Sequence, residues 1–460
     1  MNNRIKWLSG IILCAAVLTV GAFRADAREH IVRPGDTLYR IAREHATTWP
    51  RLAEYNALAD PHLIFPGQRI RLPAFGSVEA PEAGPVVGPA YTSEEVTVGG
   101  GTPWPLGGTL TVPVGASAQN PVPAVVLVHG SGPTDRDLAI GVAQNRAFYD
   151  IATYLSSQGI AVLRYDKRTY VHGAALAAAY GPAFTVQQET IQDAVRAADL
   201  LRADPRIDRV YVAGISLGGM LAPRIHAEGG DFAGLILLAG SPRPLLEITV
   251  DQERDLMALQ MRYFEDVEGL LRAQRDTLLA AMQQVEPIRD LMPEEWQQLQ
   301  AALDEVDVLL TLPEETLRGI FMAQFDELYA LQEALLAQMR ATVDMTPEAA
   351  QGQTIGAWPA YYIRDMMLNP APSLLAQTEV PMLILQGAND FQVFADVDFA
   401  MFRELLGDRD NVTFRLYEGL GHLFMPCAAT NPTDALWERD NTPARVDARV
   451  LRDMAEWILG

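Results

Sequence analysis

The chain has 460 residues, 49% of them hydrophobic, with 36 Lys and Arg against 58 Asp and Glu. That length and apolar content exclude global disorder and supply cores for about two or three domains. A net charge of −22 without any basic cluster excludes nucleic acid as a partner, and two cysteines, Cys14 and Cys427, are too few for a disulfide framework or a thiolate metal site. Arginine carries nearly all the positive charge; Lys6 and Lys167 are the only lysines, a compositional bias to which we attach no function. Residues 1–27 read as a secretion signal: Arg4 and Lys6, an apolar run from Trp7 to Val20, then Ala25-Asp26-Ala27 as a small-x-small cleavage site. The mature chain then begins at Arg28 and is exported to the cell envelope, the periplasm or the cell wall. The alternative is a retained signal anchor, although the run is short for a bilayer span. No later run is long and apolar enough to cross a membrane, so no stable transmembrane segment is expected after signal removal.

Residues 29–73 form a small unit. His30-Ile31-Val32 gives a strand, Pro34-Gly35 a turn, and Asp36-Thr37-Leu38 a helix start; a second helix, Trp49 to Tyr55, ends at Asn56, and Pro66-Gly67-Gln68 turns into a last strand near Ile70. This βααβ order, with its Pro-Gly-Asp-Thr-Leu opening and Pro-Gly-Gln close, resembles a LysM domain. The resemblance implies binding of peptidoglycan or another N-acetylglucosamine glycan between two loops, one holding Gly35, Asp36, Thr37 and Leu38, the other Ile64, Phe65, Pro66 and Gly67. Backbone amides and carbonyls in two facing loops suit N-acetyl groups. The alternative is that Leu38 and Ile64 only fill the small core.

Residues 74–92, rich in Pro, Gly and Ala, read as a linker. From residue 93 to 460, short β-branched runs alternate with helical periods. Glu94–Val98 and Thr109–Val114 read as a leading antiparallel pair. Ala124–Val128, Ile160–Tyr165, Val210–Ala213, Leu235–Leu238, Met382–Leu385 and Val412–Tyr417 read as the remaining strands of a mostly parallel sheet of about eight, with helices on both faces. Between Leu238 and Met382 the sequence carries helical signals and no strand signal. Leu256, Leu259, Tyr263, Val267, Leu270 and Leu271 recur at three and four residues, and Pro293-Glu294-Glu295 and Pro313-Glu314-Glu315 mark helix starts. The span about 243–375 is therefore expected as a helical cap. Within it, residues 247–348 hold 22 acidic and 7 arginine residues, which solvated outer faces explain; the alternative is that they disfavour anionic substrates at the mouth of the site.

The chemistry centres on Gly214-Ile215-Ser216-Leu217-Gly218, which follows the strand at Val210–Ala213 and opens a helical run. A strand, a sharp turn and a helix are the context in which such a serine stands clear as a nucleophile, with the glycines letting the backbone bend. Ser216 needs a base to take its proton and a carboxylate to orient that base. Of seven histidines, His422 lies just after the last strand, where a loop brings it to the sheet's carboxyl end. Asp390 lies at the carboxyl end of the Met382 strand and is the carboxylate of choice; Asp396 and Asp398 are explained by their place at a helix start. An oxyanion needs two N–H donors: Leu217, after the nucleophile, and Ser131 in the loop His129-Gly130-Ser131-Gly132-Pro133.

Together these residues resemble the α/β-hydrolase fold, and more narrowly a bacterial group of exported esterases or acyl hydrolases. The narrower resemblance rests on His129-Gly130-Ser131-Gly132-Pro133-Thr134-Asp135-Arg136-Asp137, on Leu163-Arg164-Tyr165-Asp166-Lys167-Arg168, and on Asn389-Asp390-Phe391-Gln392-Val393. Ile215 stands where many relatives have His, and Thr169 where a glycine is common. Asp166 and Arg164 look like structural ion-pairing groups. The resemblance implies an exported serine hydrolase acting on a small-molecule ester and tethered to peptidoglycan; no metal cluster or dinucleotide fingerprint stands out in the sequence, so no metal or other cofactor is expected. The alternatives are a serine aminopeptidase or amidase acting on an aminoacyl substrate, a wall-remodelling esterase, and a non-catalytic wall-binding protein.

Overall fold

Parallel strands covered on both faces by helices should be apolar at every position, and in the computed structural model the unbroken apolar runs are the central strands. The structure describes residues 29–31, 56, 69–71, 90–263, 267–286, 289, 293–356 and 358–460. The signal segment, the linker up to residue 89 and all eight proposed glycan-binding residues, Gly35, Asp36, Thr37, Leu38, Ile64, Phe65, Pro66 and Gly67, lie outside the described residues.

Eight strands form one sheet: β1 Tyr91–Val98, β2 Leu106–Pro113, β3 Val122–Val128, β4 Ala161–Tyr165, β5 Ile207–Ile215, β6 Leu235–Leu238, β7 Met382–Gly387 and β8 Val412–Tyr417. Their spatial order is β8-β7-β6-β5-β3-β4-β2-β1. β1 pairs antiparallel with β2 and β2 with β4, while every other pairing is parallel. The register sets Val128 beside Gly214, and Leu238 beside both Ile215 and Leu385, so three strands end level at the carboxyl edge.

Alternate residues of each strand feed opposite cores. One face buries Val126, Val212, Leu237 and Ile384 against helices α2 (Gln192–Arg202) and α3 (Leu217–Ile225); the other buries Leu127, Ala213, Leu238 and Leu385 against α1 (Ala147–Ser157) and α4 (Ala448–Leu459). α4 shows how sequence produces this packing: Asp447 caps it by accepting from the Arg449 N–H, and Val450, Leu451, Met454 and Ile458 recur on one buried stripe.

The span read as a cap divides. Residues Glu253–Leu335 form a compact unit of their own, whereas the flanking 243–252 and 336–375 belong with the sheet. Helices Pro293–Leu309 and Glu314–Ala341, the second running on past Leu335, start at the Pro-Glu-Glu signals, helix Val267–Val285 precedes them, and Leu271, Val306, Leu309 and Leu317 make a small core. The side chains of Leu256, Leu259, Tyr263, Val267 and Leu270 lie outside the described residues. A two-stranded pair, Thr354–Ile355 with Trp358–Pro359, interrupts a stretch read as all helical. Strands of two residues are too short for any alternation to show.

At the N-terminal end, Glu29–Ile31 pairs antiparallel with Arg69–Arg71, and Ile70 is fully buried. Asn56 acts as a surrogate strand: its side-chain oxygen accepts from the Arg71 N–H at 2.7 Å and its amide donates to the Arg71 carbonyl at 2.9 Å.

Candidate active site

β5 ends at Ile215 and α3 begins at Leu217, so a single residue makes the whole turn. Ser216 takes φ 55° and ψ −119°, a strained conformation for a residue with a side chain, costing about 1–3 kcal/mol. The positive φ falls on the serine itself, not on its glycines as the motif suggests; Gly214 and Gly218 are required for closeness instead. A Cβ on Gly214 would stand 2.2 Å from the Gly218 carbonyl oxygen, and one on Gly218 would stand 2.4 Å from that of Val128. The turn is pinned by the Ser216 N–H donating to the Leu238 carbonyl at 2.8 Å and by the Met220 N–H donating to the Ser216 carbonyl at 3.0 Å.

Asp390 follows β7 and its side chain is fully buried. One oxygen accepts from the Gln392 and Val393 N–H groups at 2.8 and 3.0 Å; the other accepts from the Gln386 amide at 2.9 Å and faces His422 Nδ1 at 2.8 Å. With Nδ1 donating to the carboxylate, Nε2 carries the lone pair of a base. The His422 loop is built against β7: the Asn389 N–H donates to Leu420, and its side chain accepts from the Gly419 N–H and donates to the Cys427 carbonyl.

The other three histidines between residues 93 and 460 are committed elsewhere. His129 is buried, its Nε2 3.0 Å from the Asp135 carbonyl, and burial together with the charge of Lys167 pushes its pKa down to about 3. His226 accepts from the Phe232 N–H through Nδ1, and burial lowers its pKa. His172 lies 2.9 Å from the Pro105 carbonyl. Cys427 is buried and its thiol is pushed up to about 11, chiefly by desolvation, which makes it a poor nucleophile.

Ser216 and His422 line one cavity of about 250 Å³ together with Gly130, Ser131 and Leu217, the segment and residue proposed to supply the oxyanion donors. Gly130 lies against the serine: a Cβ there would be 3.1 Å from Ser216 Cβ. Leu217 is the first residue of α3, so its N–H has no partner within the helix. The remaining lining is largely apolar, including Leu138, Ile140, Met220, Ile248 and Trp358. Arg439 is the one formally charged residue among the described lining residues, and no carboxylate is among them.

The two segments His129–Asp137 and Leu163–Arg168 interlock at the carboxyl edge. Arg136 holds Asp166 through its backbone N–H at 2.9 Å and its guanidinium at 2.8 and 3.2 Å, and Arg164 faces Asp137 at 3.1 Å. Arg168, wholly buried, forks onto Asp193. Lys167, to which we attach no role from the sequence, is 2% exposed and donates to the Gly130 carbonyl and to Glu189, each at 2.6 Å. Its signal was its place: the residue two beyond the end of β4.

A second correction concerns Asp398. It is fully buried and accepts from Ser241 Oγ at 2.5 Å, from Arg243 at 2.8 and 3.1 Å and from the Phe394 N–H at 2.8 Å, tying β6's exit to the turn after Asp390. Helix-start charge alone does not account for it. Asp396 stands in the first turn of the same helix.

A family model described as LysM domain matches residues 30–73, and one described as alpha/beta hydrolase family matches residues 125–439. Esterase EstD of Thermotoga maritima is 30% identical over 370 residues, 80% of this chain and 68% of that protein. Among solved structures, Est1E from Butyrivibrio proteoclasticus is similar at a TM-score of 0.39 and 13% identity, over 79% of this chain and 97% of that one. Proline iminopeptidase from Mycobacterium smegmatis is similar at 0.36 and 16% identity, over 80% and 98%.

Proposed function

The chain belongs to the alpha/beta hydrolase family and carries a LysM domain, and from that premise we propose that it is an exported serine hydrolase cleaving a carboxylic ester through an acyl-enzyme on Ser216, held at peptidoglycan by the LysM domain. Among known relatives the esterase kinship is at the level of sequence, and ester hydrolysis is the activity it supports.

The observation that carries the mechanism is the His422–Asp390 hydrogen bond at 2.8 Å, made by a histidine that shares its cavity with a serine in a strained backbone conformation. In the proposed course, Ser216 Oγ bonds to the ester carbonyl carbon as its proton passes to His422 Nε2. Asp390 stays ionised and stabilises the imidazolium. The carbonyl oxygen becomes an oxyanion that accepts from the Leu217 and Ser131 N–H groups. Collapse breaks the bond to the alkoxide, which takes the proton from His422. Water then repeats the sequence on the acyl-serine, releasing the carboxylic acid and restoring Ser216.

The lining favours the ester over the aminoacyl substrate. An aminopeptidase must hold a free ammonium group, for which a carboxylate is the natural partner, and the charged residue in this lining is an arginine. Export is supported by the signal-like residues 1–27, and wall attachment by the LysM match at residues 30–73.

The test is the initial rate on p-nitrophenyl esters from acetate to palmitate beside aminoacyl-p-nitroanilides, for the parent chain and Ser216→Ala. Ester turnover lost by at least about a thousandfold on substitution agrees with the reading. Anilide turnover without ester turnover replaces it with the peptidase, and silence on both panels in a folded chain favours the wall-binding protein.

A further inference from the structure

The geometry points to Lys167 as the positioning residue of the oxyanion site: its ammonium clamps the Gly130 carbonyl and thereby aims the Ser131 N–H. This deepens the acyl-enzyme reading above and rests on it.

A trans peptide is planar, with its C=O and N–H on opposite sides, and the chain has no cis peptide bonds among the described residues. Whatever holds the Gly130 oxygen therefore dictates where the Ser131 N–H points. That oxygen is held by Lys167 Nζ at 2.6 Å, and among the described residues the Ser131 N–H donates to no protein acceptor. Gly130 lies against Ser216 and Ser131 lines the same cavity, so the N–H left unpaired belongs to the peptide beside the reacting centre. The lysine cannot swing away. Its ammonium also donates to Glu189 Oε1 at 2.6 Å, and the second oxygen of Glu189 accepts from the Tyr362 hydroxyl at 2.6 Å. Lys167 and Tyr362 are 2% and 5% exposed, and the Lys167 N–H donates to the Thr134 carbonyl at 3.1 Å, closing the loop from its other end.

A buried ion pair of this kind is a poor stabiliser, since apolar residues of similar volume often replace one at no cost. What apolar residues cannot do is hold a carbonyl. The cationic head also polarises the peptide whose N–H faces the developing oxyanion, in a site where low dielectric strengthens the effect. Lys167 thus acts through the Gly130–Ser131 peptide and touches no substrate.

The test is the double variant Lys167→Met/Glu189→Gln, which removes both charges and leaves an acceptor for Tyr362. We expect kcat on a p-nitrophenyl ester to fall about a hundredfold, the low end for loss of one oxyanion donor, with KM within threefold. A trifluoromethyl ketone, which bonds to Ser216 Oγ and places an oxyanion in the site, should lose affinity in parallel, while the methyl ketone of the same chain keeps its affinity within threefold. Equal losses for both ketones, or kcat within threefold of the parent, overturn the proposal. Should the double variant fail to fold, Glu189→Gln alone loosens the clamp, and the same split between the two ketones is expected at about tenfold; no split overturns it. If the parent chain turns over no ester, or Ser216→Ala keeps turnover, the acyl-enzyme reading itself fails; a parent that is active through Ser216 while the Lys167 variant stays fast refutes the clamp alone.

Discussion

Replacing Gly218 by Ala tests whether the nucleophile turn works by closeness of backbones. A Cβ at this position would stand 2.4 Å from the Val128 carbonyl oxygen and 2.6 Å from that of His129. Ordinary contact begins near 3.4 Å, so about 1 Å must be found, and both obstacles are backbone of β3's exit, which is hydrogen-bonded into the sheet. The movement has to come from α3 and its first residue Leu217, or from the loop that carries Gly130 and Ser131. Either way a proposed donor shifts relative to Ser216. A misplacement of about 1 Å at a reacting centre costs about a hundredfold in rate, and overpacking adds about 1–3 kcal/mol of destabilisation. The assay is kcat on a p-nitrophenyl ester together with the second-order rate of serine labelling by a fluorophosphonate, read beside the denaturation midpoint. Both rates should drop by similar factors in a chain that remains folded. Rates within threefold of the parent would refute the argument that Gly218 is required by packing.

Asp398→Ala should destabilise the folded chain by about 1–3 kcal/mol, because the Ser241 hydroxyl, the Arg243 Nε and the Phe394 N–H lose their buried acceptor while Arg243 keeps its pair with Asp251; an unchanged urea midpoint would refute that burial argument. His129 titrates near 3 when folded and near 6.5 when unfolded, so the unfolded chain takes up its proton first as the pH falls. Stability is full above pH 6.5 and lost on the way down, by about 2 kcal/mol at pH 5, and His129→Gln should flatten that slope; an identical slope in the variant would show that other groups carry it.

What the sequence made legible was local. β6 and the Met382–Leu385 part of β7 are uninterrupted apolar runs because both their faces are covered, and such runs announce themselves without a partner. The Gly-x-Ser-x-Gly segment is equally self-contained, and Asp390 and His422 were readable from their places just beyond strand ends. The hydrogen bond between those two joins residues 32 apart, but the parallel pairing of β7 and β8 makes them neighbours. Other features were hidden because their partners are remote. Lys167 acquires meaning from Tyr362, which reaches the shared Glu189 across 173 positions, and Asp398 from Arg243 across 155. The strain at Ser216 was misassigned to its glycines for a different reason: the motif shows which residues are small, and not whether smallness serves a positive φ or a close approach.

The central claim is an acyl group on Ser216, and it is tested most directly by acid-quenching the chain during turnover of a slowly deacylating p-nitrophenyl ester and mapping the adduct by peptide mass spectrometry. One acyl group on the peptide carrying Ser216, absent from Ser216→Ala, is the predicted result. Continued turnover with no adduct at Ser216, or an adduct at another residue in a Ser216→Ala chain that still turns over, would contradict the account.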